Sequence, residues 1–230
     1  MTFPTLRTLS LAFGLCVLTG PATAQEGPAA VALEGCVERA TSAVQKRYEG
    51  VSDLSARFEQ STRAVGVGTA AGPATTSRGR VLLAKPGKMR WTYEEPDQSL
   101  VISDGDTLWL FDPSFGEAQK LPAGGGYMTG AAAQFLLGAG DMQRDFEVSA
   151  VACDPTRVEL QLIPREDASY EKLFLDVDPR SGDVRATRVV DLLGNVVNVA
   201  FTEMRFNTEP PDAEFRFEPP EGVRVIEIAP

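Results

Sequence analysis

Glu94, Glu95 and Asp97 are the side chains of this sequence that most resemble a catalytic pair. Two neighbouring carboxylates can serve as the acid and the base of a glycosidase. Pro96 lies among them, however, and an acidic segment around a proline is typical of a solvated hairpin end. The sequence also lacks histidine, which excludes Ser–His and Cys–His nucleophile pairs and removes the commonest zinc ligand. We therefore predict a protein that is not an enzyme and has no cofactor and no metal site.

Asp176-Val177-Asp178, followed by Gly182, resembles the beginning of a calcium-binding loop. Such a loop is completed by a bidentate glutamate, which is missing here, and Pro179 lies inside the segment. A β-turn between two strands explains these residues better than a metal site.

The amino terminus has the features of a secretory signal. Leu9–Leu18 is apolar but shorter than the roughly 20 residues that span a bilayer. Ala22-Thr23-Ala24 has the small residues of a cleavage site. We expect a signal peptide over residues 1–24 and a single soluble, exported domain over residues 25–230. An uncleaved membrane anchor is the alternative.

Signal cleavage leaves two cysteines, Cys36 and Cys153, in an exported and oxidising environment. We expect a disulfide between them. Two buried thiols are the alternative, because spacing alone does not show that the pair is close in space.

The formal net charge of the chain is −10, and the sequence has no basic cluster. Nucleic acid is therefore excluded as a partner, and the outer surface should be repelled by anionic membranes.

Two helices are predicted from the apolar residues. An apolar stripe from Val37 to Tyr48 predicts a helix over Ala29–Gly50 on which one face is buried. Met128–Leu137 is apolar almost all round, so a helix there must be covered on most sides or must cover apolar groups.

The rest of the chain predicts antiparallel strands. Leu54, Ala56 and Phe58 alternate as in a first strand, and Gly79–Pro113 contains three or four apolar runs separated by turn signals such as Asp104-Gly105. Five further strands are predicted over Phe146–Ala150, Arg157–Ile163, Lys172–Val177, Val184–Leu192 and Val196–Phe206. Together they predict one strongly bent antiparallel sheet that encloses either a large core or an apolar pocket.

A series of short motifs runs through nearly the entire mature chain. They are Ala56-x-Phe58-x-Gln60, Gly79, Lys85-Pro86, Trp91, Pro96, Ser103-Asp104-Gly105, Leu108-Trp109, Asp112-Pro113 and Phe215-x-Phe217-x-Pro219-Pro220-x-Gly222-Val223-x-Val225. In this order and spacing, the sequence resembles the LolA family, whose members carry lipoproteins through the periplasm from the inner to the outer membrane of Gram-negative bacteria.

The resemblance implies a mainly β fold, namely an unclosed, strongly bent antiparallel β-barrel with a helical lid over an apolar cavity. It implies that the acyl chains of lipoproteins are the ligand. The implied partners are an inner-membrane ABC transporter of the LolCDE type, which releases the cargo, and an outer-membrane receptor of the LolB type, if one is present. The protein is expected to be a monomer in the periplasm.

The acyl cavity and its lid are expected to be formed by apolar residues of the helices and the first strands, together with one lysine. They are Val44, Tyr48, Leu54, Phe58, Val81, Leu83, Lys85, Met89, Trp91, Leu100, Ile102, Leu108, Leu110, Met128, Phe135 and Leu136.

Lys85 departs from the family pattern. Family members have an arginine on the strand before the conserved proline, and its hydrogen bonds to backbone carbonyls of the lid helices hold the empty cavity shut. Alignment on Pro86 puts Lys85 there, which keeps the charge but loses the planar fork of donors. Lys85 either locks the lid more weakly or is a solvated lysine at a strand end. Met89 is likewise either a flexible cavity residue or ordinary core.

Other functions share parts of this pattern. A carrier of free lipids shares every feature. A LolB-like membrane-tethered acceptor is disfavoured because Cys16 lacks a lipobox, and an RseB-like sensor because no second domain follows. A lipid hydrolase is disfavoured by the missing histidine and by the absence of Gly-x-Ser-x-Gly.

Overall fold

The structure, a computed structural model, describes residues 28–66, 72–123 and 141–228. In these residues the chain forms two α-helices, one short 3₁₀ helix and twelve strands. In chain order they are α1 (Pro28–Glu49), β1 (Asp53–Arg63), β2 (Thr75–Ala84), β3 (Lys88–Glu95), β4 (Ser99–Asp104), β5 (Thr107–Asp112), β6 (Glu117–Pro122), α2 (Met142–Asp145), β7 (Phe146–Asp154), β8 (Arg157–Pro164), β9 (Tyr170–Val177), β10 (Val184–Asp191), β11 (Val196–Phe206), the 3₁₀ helix (Asp212–Phe215) and β12 (Arg224–Glu227).

All twelve strands belong to one curved sheet in the order β12-β6-β5-β4-β3-β2-β1-β11-β10-β9-β8-β7. Neighbours are antiparallel except for β12, which runs parallel to β6. Within the described ranges the two edge strands, β12 and β7, are not joined by a ladder. The predicted fold class, a mainly β protein with an unclosed antiparallel sheet, is therefore confirmed.

The predicted turn signals end the strands where expected, because proline and glycine cannot continue a regular ladder there. Lys85-Pro86-Gly87 joins β2 to β3, and Gly105 lies between β4 and β5. The strands β6 and β12 and the 3₁₀ helix were not predicted. The predicted helix Met128–Leu137 and the signal peptide lie outside the described residues.

Helix α1 lies on the inner face of the sheet, against β7 and β8. Ala40, Val44 and Tyr48 are buried there, as the apolar stripe predicts. The N-terminal end of the stripe differs from the prediction, since Cys36 is buried whereas Val37 is half-buried. The cause is that Cys36 is bonded to Cys153 of β7, which turns this side of the helix toward the sheet.

After β11 the chain packs on the outer face of the sheet. Phe217 contacts Trp109 and Phe111, with ring centroids 5.4 and 5.2 Å apart, and Phe215 is buried beside β3 and β4. This layer brings β12 to the edge of the sheet beside β6.

Candidate functional site

The inner face of β1–β6 is built from rows of side chains that lie opposite one another in neighbouring strands. Paired residues point to the same face of an antiparallel sheet, so the register identifies each row. The innermost row is completely buried, and we call it the closed end. It consists of Leu54, Leu83, Met89, Ser103, Leu108 and Leu121.

Two positions further along β3, β4 and β5, the same face is only half-buried, and in β6 it is exposed at Gln119, whereas β1 and β2 stay buried at Ala56 and Val81. We call the half-buried region of β3–β6 the open end. Met89 of β3 is 3% exposed, whereas Trp91 and Tyr93 are partly exposed. Leu108 and Leu110 of β5 differ in the same way. The open end consists of Trp91, Tyr93, Val101, Leu110 and Gln119.

Aromatic rings form one wall of the open end. The Phe58 ring packs edge-on against Trp91 and Tyr93, at centroid distances of 4.9 and 5.0 Å. The Tyr93 hydroxyl donates a 3.0 Å hydrogen bond to Gln60, and burial raises the pKa of this hydroxyl. Edge-to-face packing fixes the rings, so this wall is rigid and apolar with one satisfied polar tip.

Gly79 makes this packing possible. It pairs with Tyr93, and a Cβ at this position would lie 2.0 Å from the Thr92 carbonyl oxygen and 3.0 Å from the Phe58 ring. Only glycine fits, and Phe58 occupies the space that a side chain would need. The spacing Phe58…Gly79, noted as part of the family resemblance, has this physical basis.

Next to this wall, β4–β6 carry a cavity of about 270 Å³ at the open end. Val101, Leu110 and Gln119 line it from the inner face, and Phe115 of the β5–β6 turn borders it. The apolar part of the lining, completed by Leu100 and Phe111, suits a hydrocarbon ligand. Ser99, Asp112 and Glu117 are the other polar residues that border the cavity.

A larger cavity of about 460 Å³ lies along the polar side of β1–β3. Arg57, Arg80, Arg90 and Arg205 contribute to its walls, together with Glu214. Charged walls are unsuited to acyl chains, since the chain would have to displace water from the guanidinium groups. The smaller cavity, whose lining contains more apolar than charged residues, is therefore the better candidate site.

Those residues predicted for the cavity that the structure describes lie in four places: the buried interior, the open end, the outer face of the sheet and the β2–β3 turn. Buried in the interior are Val44, Tyr48, Leu54, Phe58, Val81, Leu83, Met89 and Leu108, and half-buried at the open end are Trp91 and Leu110. Met128, Phe135 and Leu136 lie outside the described residues.

Leu100 and Ile102 differ from the rest of the predicted set. They pair with Thr92 and Arg90 of β3, so in the register they belong to the outer face of the sheet, although Leu100 also borders the cavity of about 270 Å³. The sequence did not show which face lines the cavity, because the run Leu100–Ile102 is continuously apolar. The outer layer around Phe215 explains this run, because it buries Ile102 to 1% exposure.

Lys85 lies in the β2–β3 turn at the closed end. Its Nζ donates a 2.7 Å hydrogen bond to the backbone carbonyl of Tyr48, in the last turn of α1. A cation at a helix C-terminus is favourable because the last carbonyls lack partners within the helix. Lys85 therefore connects the sheet to α1.

Further contacts join the end of α1 to β11 and to the start of β10. Arg47 forms a 2.7 Å ion pair with Asp183, and its guanidinium lies 3.9 Å from the centre of the Phe206 ring. The Tyr48 hydroxyl accepts a hydrogen bond from the Val184 N–H at 3.2 Å, and burial raises the pKa of Tyr48 to about 12. Together with the Cys36–Cys153 disulfide, these contacts anchor the helix at both ends of its buried part.

Sequence reasoning missed the role of Gly182. A Cβ at Gly182 would lie 2.2 Å from the Ala43 carbonyl oxygen of α1, and the residue has a φ of +76°. The turn that resembles a calcium loop is thus the surface on which α1 rests. The signal in the sequence was a glycine directly after a proline-containing turn, but only the structure shows what lies against it.

Two of the three carboxylates considered for catalysis form ion pairs, and one considered for the calcium loop belongs to a turn. Glu94 forms ion pairs with Arg57 and Arg80, and Glu95 with Arg78. The Arg180 N–H donates a hydrogen bond to the Asp178 carboxylate within the turn. This bond lowers the pKa of Asp178, although burial of the carboxyl acts in the opposite direction. Among the described residues, no group of three or more His, Cys, Asp or Glu side chains is placed to hold a metal ion.

A curved, unclosed antiparallel sheet, with one fixed helix inside it and a half-buried apolar face at one end, is the architecture of a binding protein for apolar ligands. Among the described residues, no helix is long and apolar enough to cross a membrane.

The comparisons with known proteins identify the family. Residues 49–218 match the family model of the outer membrane lipoprotein carrier protein LolA. The chain is 32% identical over 192 residues to an outer-membrane lipoprotein carrier protein from Cupriavidus necator, covering 81% of this chain and 87% of the relative. It is 29% identical over 203 residues to the carrier from Bordetella avium, covering 87% and 91%. The chain belongs to the LolA family.

A solved structure supports the fold. An uncharacterized conserved protein from Thermus thermophilus superposes with a TM-score of 0.51 at 11% identity, covering 83% of this chain and 98% of that protein.

Proposed function

We propose that this protein carries lipoproteins through the periplasm by holding their acyl chains against the open end of the sheet. Membership of the LolA family supports this function. The observation that carries it is the change in burial along one face, because Trp91, Val101 and Leu110 leave apolar surface accessible beside a completely buried row. Apolar surface that folding leaves accessible in a concave position is surface for a ligand.

The energetics define what such a site must do. Burial of acyl methylenes is worth about 0.8 kcal/mol each, so three chains of about 15 methylenes hold a lipoprotein in its membrane by roughly 35 kcal/mol. A transporter of the LolCDE type would supply the work of extraction. The carrier must then bind the chains less tightly than the acceptor does. A half-buried wall with a cavity of about 270 Å³ fits weak, transferable binding.

Several further features belong to this proposal. A signal peptide over residues 1–24 would direct the chain to the periplasm, where it acts as a monomeric chaperone and not as an enzyme. An outer-membrane receptor of the LolB type would accept the cargo if one is present. Lys85 would hold α1 on the sheet in the role that arginine has in other members, through its bond to the Tyr48 carbonyl.

The site is tested by placing a carboxylate in the proposed wall. Leu110→Glu should weaken the binding of a fluorescent fatty acid by at least about tenfold, because the acyl chain would have to desolvate the charge. The free energy of unfolding should fall by only about 1 kcal/mol, since a half-buried side chain remains accessible to water. Val151→Glu, at an exposed apolar residue of β7, is the control and should bind normally. Unchanged binding in Leu110→Glu would place the acyl site elsewhere.

The cargo is tested separately by native mass spectrometry of protein purified from its own periplasm. We expect bound masses of acylated lipoproteins. Phospholipids or free fatty acids in their place would show that the protein is a carrier of free lipids.

A further inference from the structure

The turn between β10 and β11 exposes two consecutive leucines. Leu192 is 67% exposed and Leu193 is 79% exposed, and Val65, which follows β1, is 56% exposed beside them. A side chain built on Gly194 would lie 3.2 Å from Val65, so the two segments touch. A soluble protein gains nothing in folding from apolar side chains at a turn tip, and contiguous apolar groups at the surface indicate an interaction.

Hydrogen bonds at its base hold this turn, Asp191–Asn195, which we call the tip. The Asp191 carboxylate accepts hydrogen bonds from the Leu193 and Asn195 N–H groups at 2.9 and 2.8 Å, and from the Asn195 side chain at 2.7 Å. The Asn195 side-chain oxygen in turn accepts from the Val65 N–H at 2.9 Å. These bonds fix the backbone of the turn, from which the two leucines project into the solvent. The leucines are therefore presented for contact and not left exposed by a loose loop.

The tip lies at the open end and continues into the inner face. In the register of β10 and β11, Val189 pairs with Val197, and both are half-buried against the core. Val197 also pairs with Thr62 of β1, two positions beyond the pair of Gln60 with Val199. Val199 is buried. Apolar side chains thus lead from the exposed tip to the interior.

A second apolar tip lies on the other side of the open end. Phe115, in the β5–β6 turn, is 76% exposed and borders the cavity of about 270 Å³. In the sheet order, β5 and β6 are on one side of β1 and β10 and β11 on the other. The two tips therefore flank the open end.

The chemistry of the tips favours a lipid bilayer over a protein partner. They are convex, and a convex apolar tip finds its complement in a deformable apolar medium, whereas a protein partner would need a preformed groove. The turn from Asp191 to Asn195 contains no lysine or arginine, and the chain has a net charge of −10. A surface of anionic lipids would repel such a protein, so the complement is a bilayer of zwitterionic lipids.

We propose that Leu192 and Leu193, with Phe115 as a second contact, insert into the interface of a zwitterionic bilayer and turn the open end of the sheet toward the membrane. The inference deepens the proposed carrier function and rests on it. On delivery without a receptor of the LolB type, acyl chains would then pass from the protein into the bilayer along apolar side chains, without entering water. Two leucines bind a bilayer far more weakly than an acyl anchor does, so the contact is brief and the carrier leaves again.

The transfer of a fluorescent fatty acid from the loaded protein to phosphatidylcholine–phosphatidylethanolamine vesicles tests the proposal. For the wild type, the transfer rate should rise with vesicle concentration, because transfer occurs in the collision complex. In Leu192→Ser/Leu193→Ser the rate should fall by about tenfold and become independent of vesicle concentration, since two apolar side chains no longer insert. Its affinity for the fatty acid should be unchanged. Val151→Ser removes an exposed apolar side chain of the edge strand β7, which three strands separate from β11, and should transfer like the wild type.

A second measurement does not depend on ligand binding. Leu193→Trp should show a blue-shifted difference spectrum with these vesicles and quenching by lipids brominated in their acyl chains, whereas Val151→Trp should show neither. A transfer rate that is independent of vesicle concentration in the wild type, or a tryptophan at position 193 that stays in water, overturns the proposal. Failure of the wild type to bind the fatty acid would instead overturn the carrier function and leave the tryptophan measurement to decide the membrane contact.

Discussion

The closed end and the open end share one sheet face but have opposite tasks. At the closed end, Met89 and Leu108 are completely buried, and Lys85 joins the sheet to α1. At the open end, the next inward residues of the same strands, Trp91 and Leu110, are only half-buried. Two residues along a strand span about 7 Å, so the change from core to accessible wall is abrupt.

The comparison shows that stability and binding are separated along the strands. The closed end supplies the buried apolar surface that stabilises the fold. The open end can therefore keep apolar surface accessible to a ligand. Helix α1 belongs to the fixed part, because a disulfide, the Arg47–Asp183 ion pair and the close approach of Gly182 all hold it. We therefore expect α1 to be a permanent wall and not the part that opens.

The largest effect is expected from a charge at the closed end. Met89→Glu should lower the free energy of unfolding by about 4–5 kcal/mol, because the carboxylate would be buried without a partner. Thermal denaturation compared with Leu110→Glu measures the contrast between the two ends. Similar melting temperatures for the two variants would show that both ends are equally accessible and would remove the basis of the comparison.

The disulfide tests whether α1 is a permanent wall. Its cysteines are 117 residues apart, so Cys36→Ala/Cys153→Ala should cost about 4–5 kcal/mol in the chain-entropy model. Fatty-acid affinity, measured well below the melting temperature, should stay unchanged. Tighter or faster binding by this variant would instead make α1 a gate. Thiol titration of the denatured, unreduced wild type should detect no free thiol.

A smaller effect is expected from Asp53, which joins β1 to the segment after β11. Burial by itself would raise the pKa of this carboxyl. The hydrogen bonds from the Thr208 N–H and hydroxyl, the Glu209 N–H and the Ser52 hydroxyl outweigh burial and hold the pKa below its usual value. A lowered folded-state pKa contributes stability above the unfolded value of about 3.9, which is lost as the pH falls through the folded-state pKa.

Asp53→Asn should therefore destabilise the protein by about 2 kcal/mol at neutral pH, since an amide accepts fewer of these bonds. The difference from the wild type should shrink when denaturant unfolding is repeated below about pH 4. Fatty-acid binding should be unaffected, because Asp53 is at the closed end. A stability difference that is constant with pH would show that folding does not lower the pKa of the Asp53 carboxyl.

The sequence predicted most elements because local signals and tertiary structure agree in them. The stripe of α1 and the turn Lys85-Pro86-Gly87 are examples, and β11 was predicted with its observed bounds. Strand β12 was missed, since a run of four residues with only two apolar side chains carries little strand signal and pairs with β6 only after a long connection. Ile102 was assigned to the cavity but lies under the outer layer, because a continuous apolar run does not show which side a second layer covers.

By itself, the sequence determined the class of fold, the absence of histidine-based chemistry and the family, since composition, periodicity and turn residues are properties of the chain. The tertiary structure decided which apolar residues are core and which are accessible. Met89 and Leu110 are equally apolar in the sequence, and only the packing of α1 and the neighbouring strands buries one and leaves the other half-exposed. Burial is a property of all the neighbours of a residue, and most of these neighbours are distant along the chain.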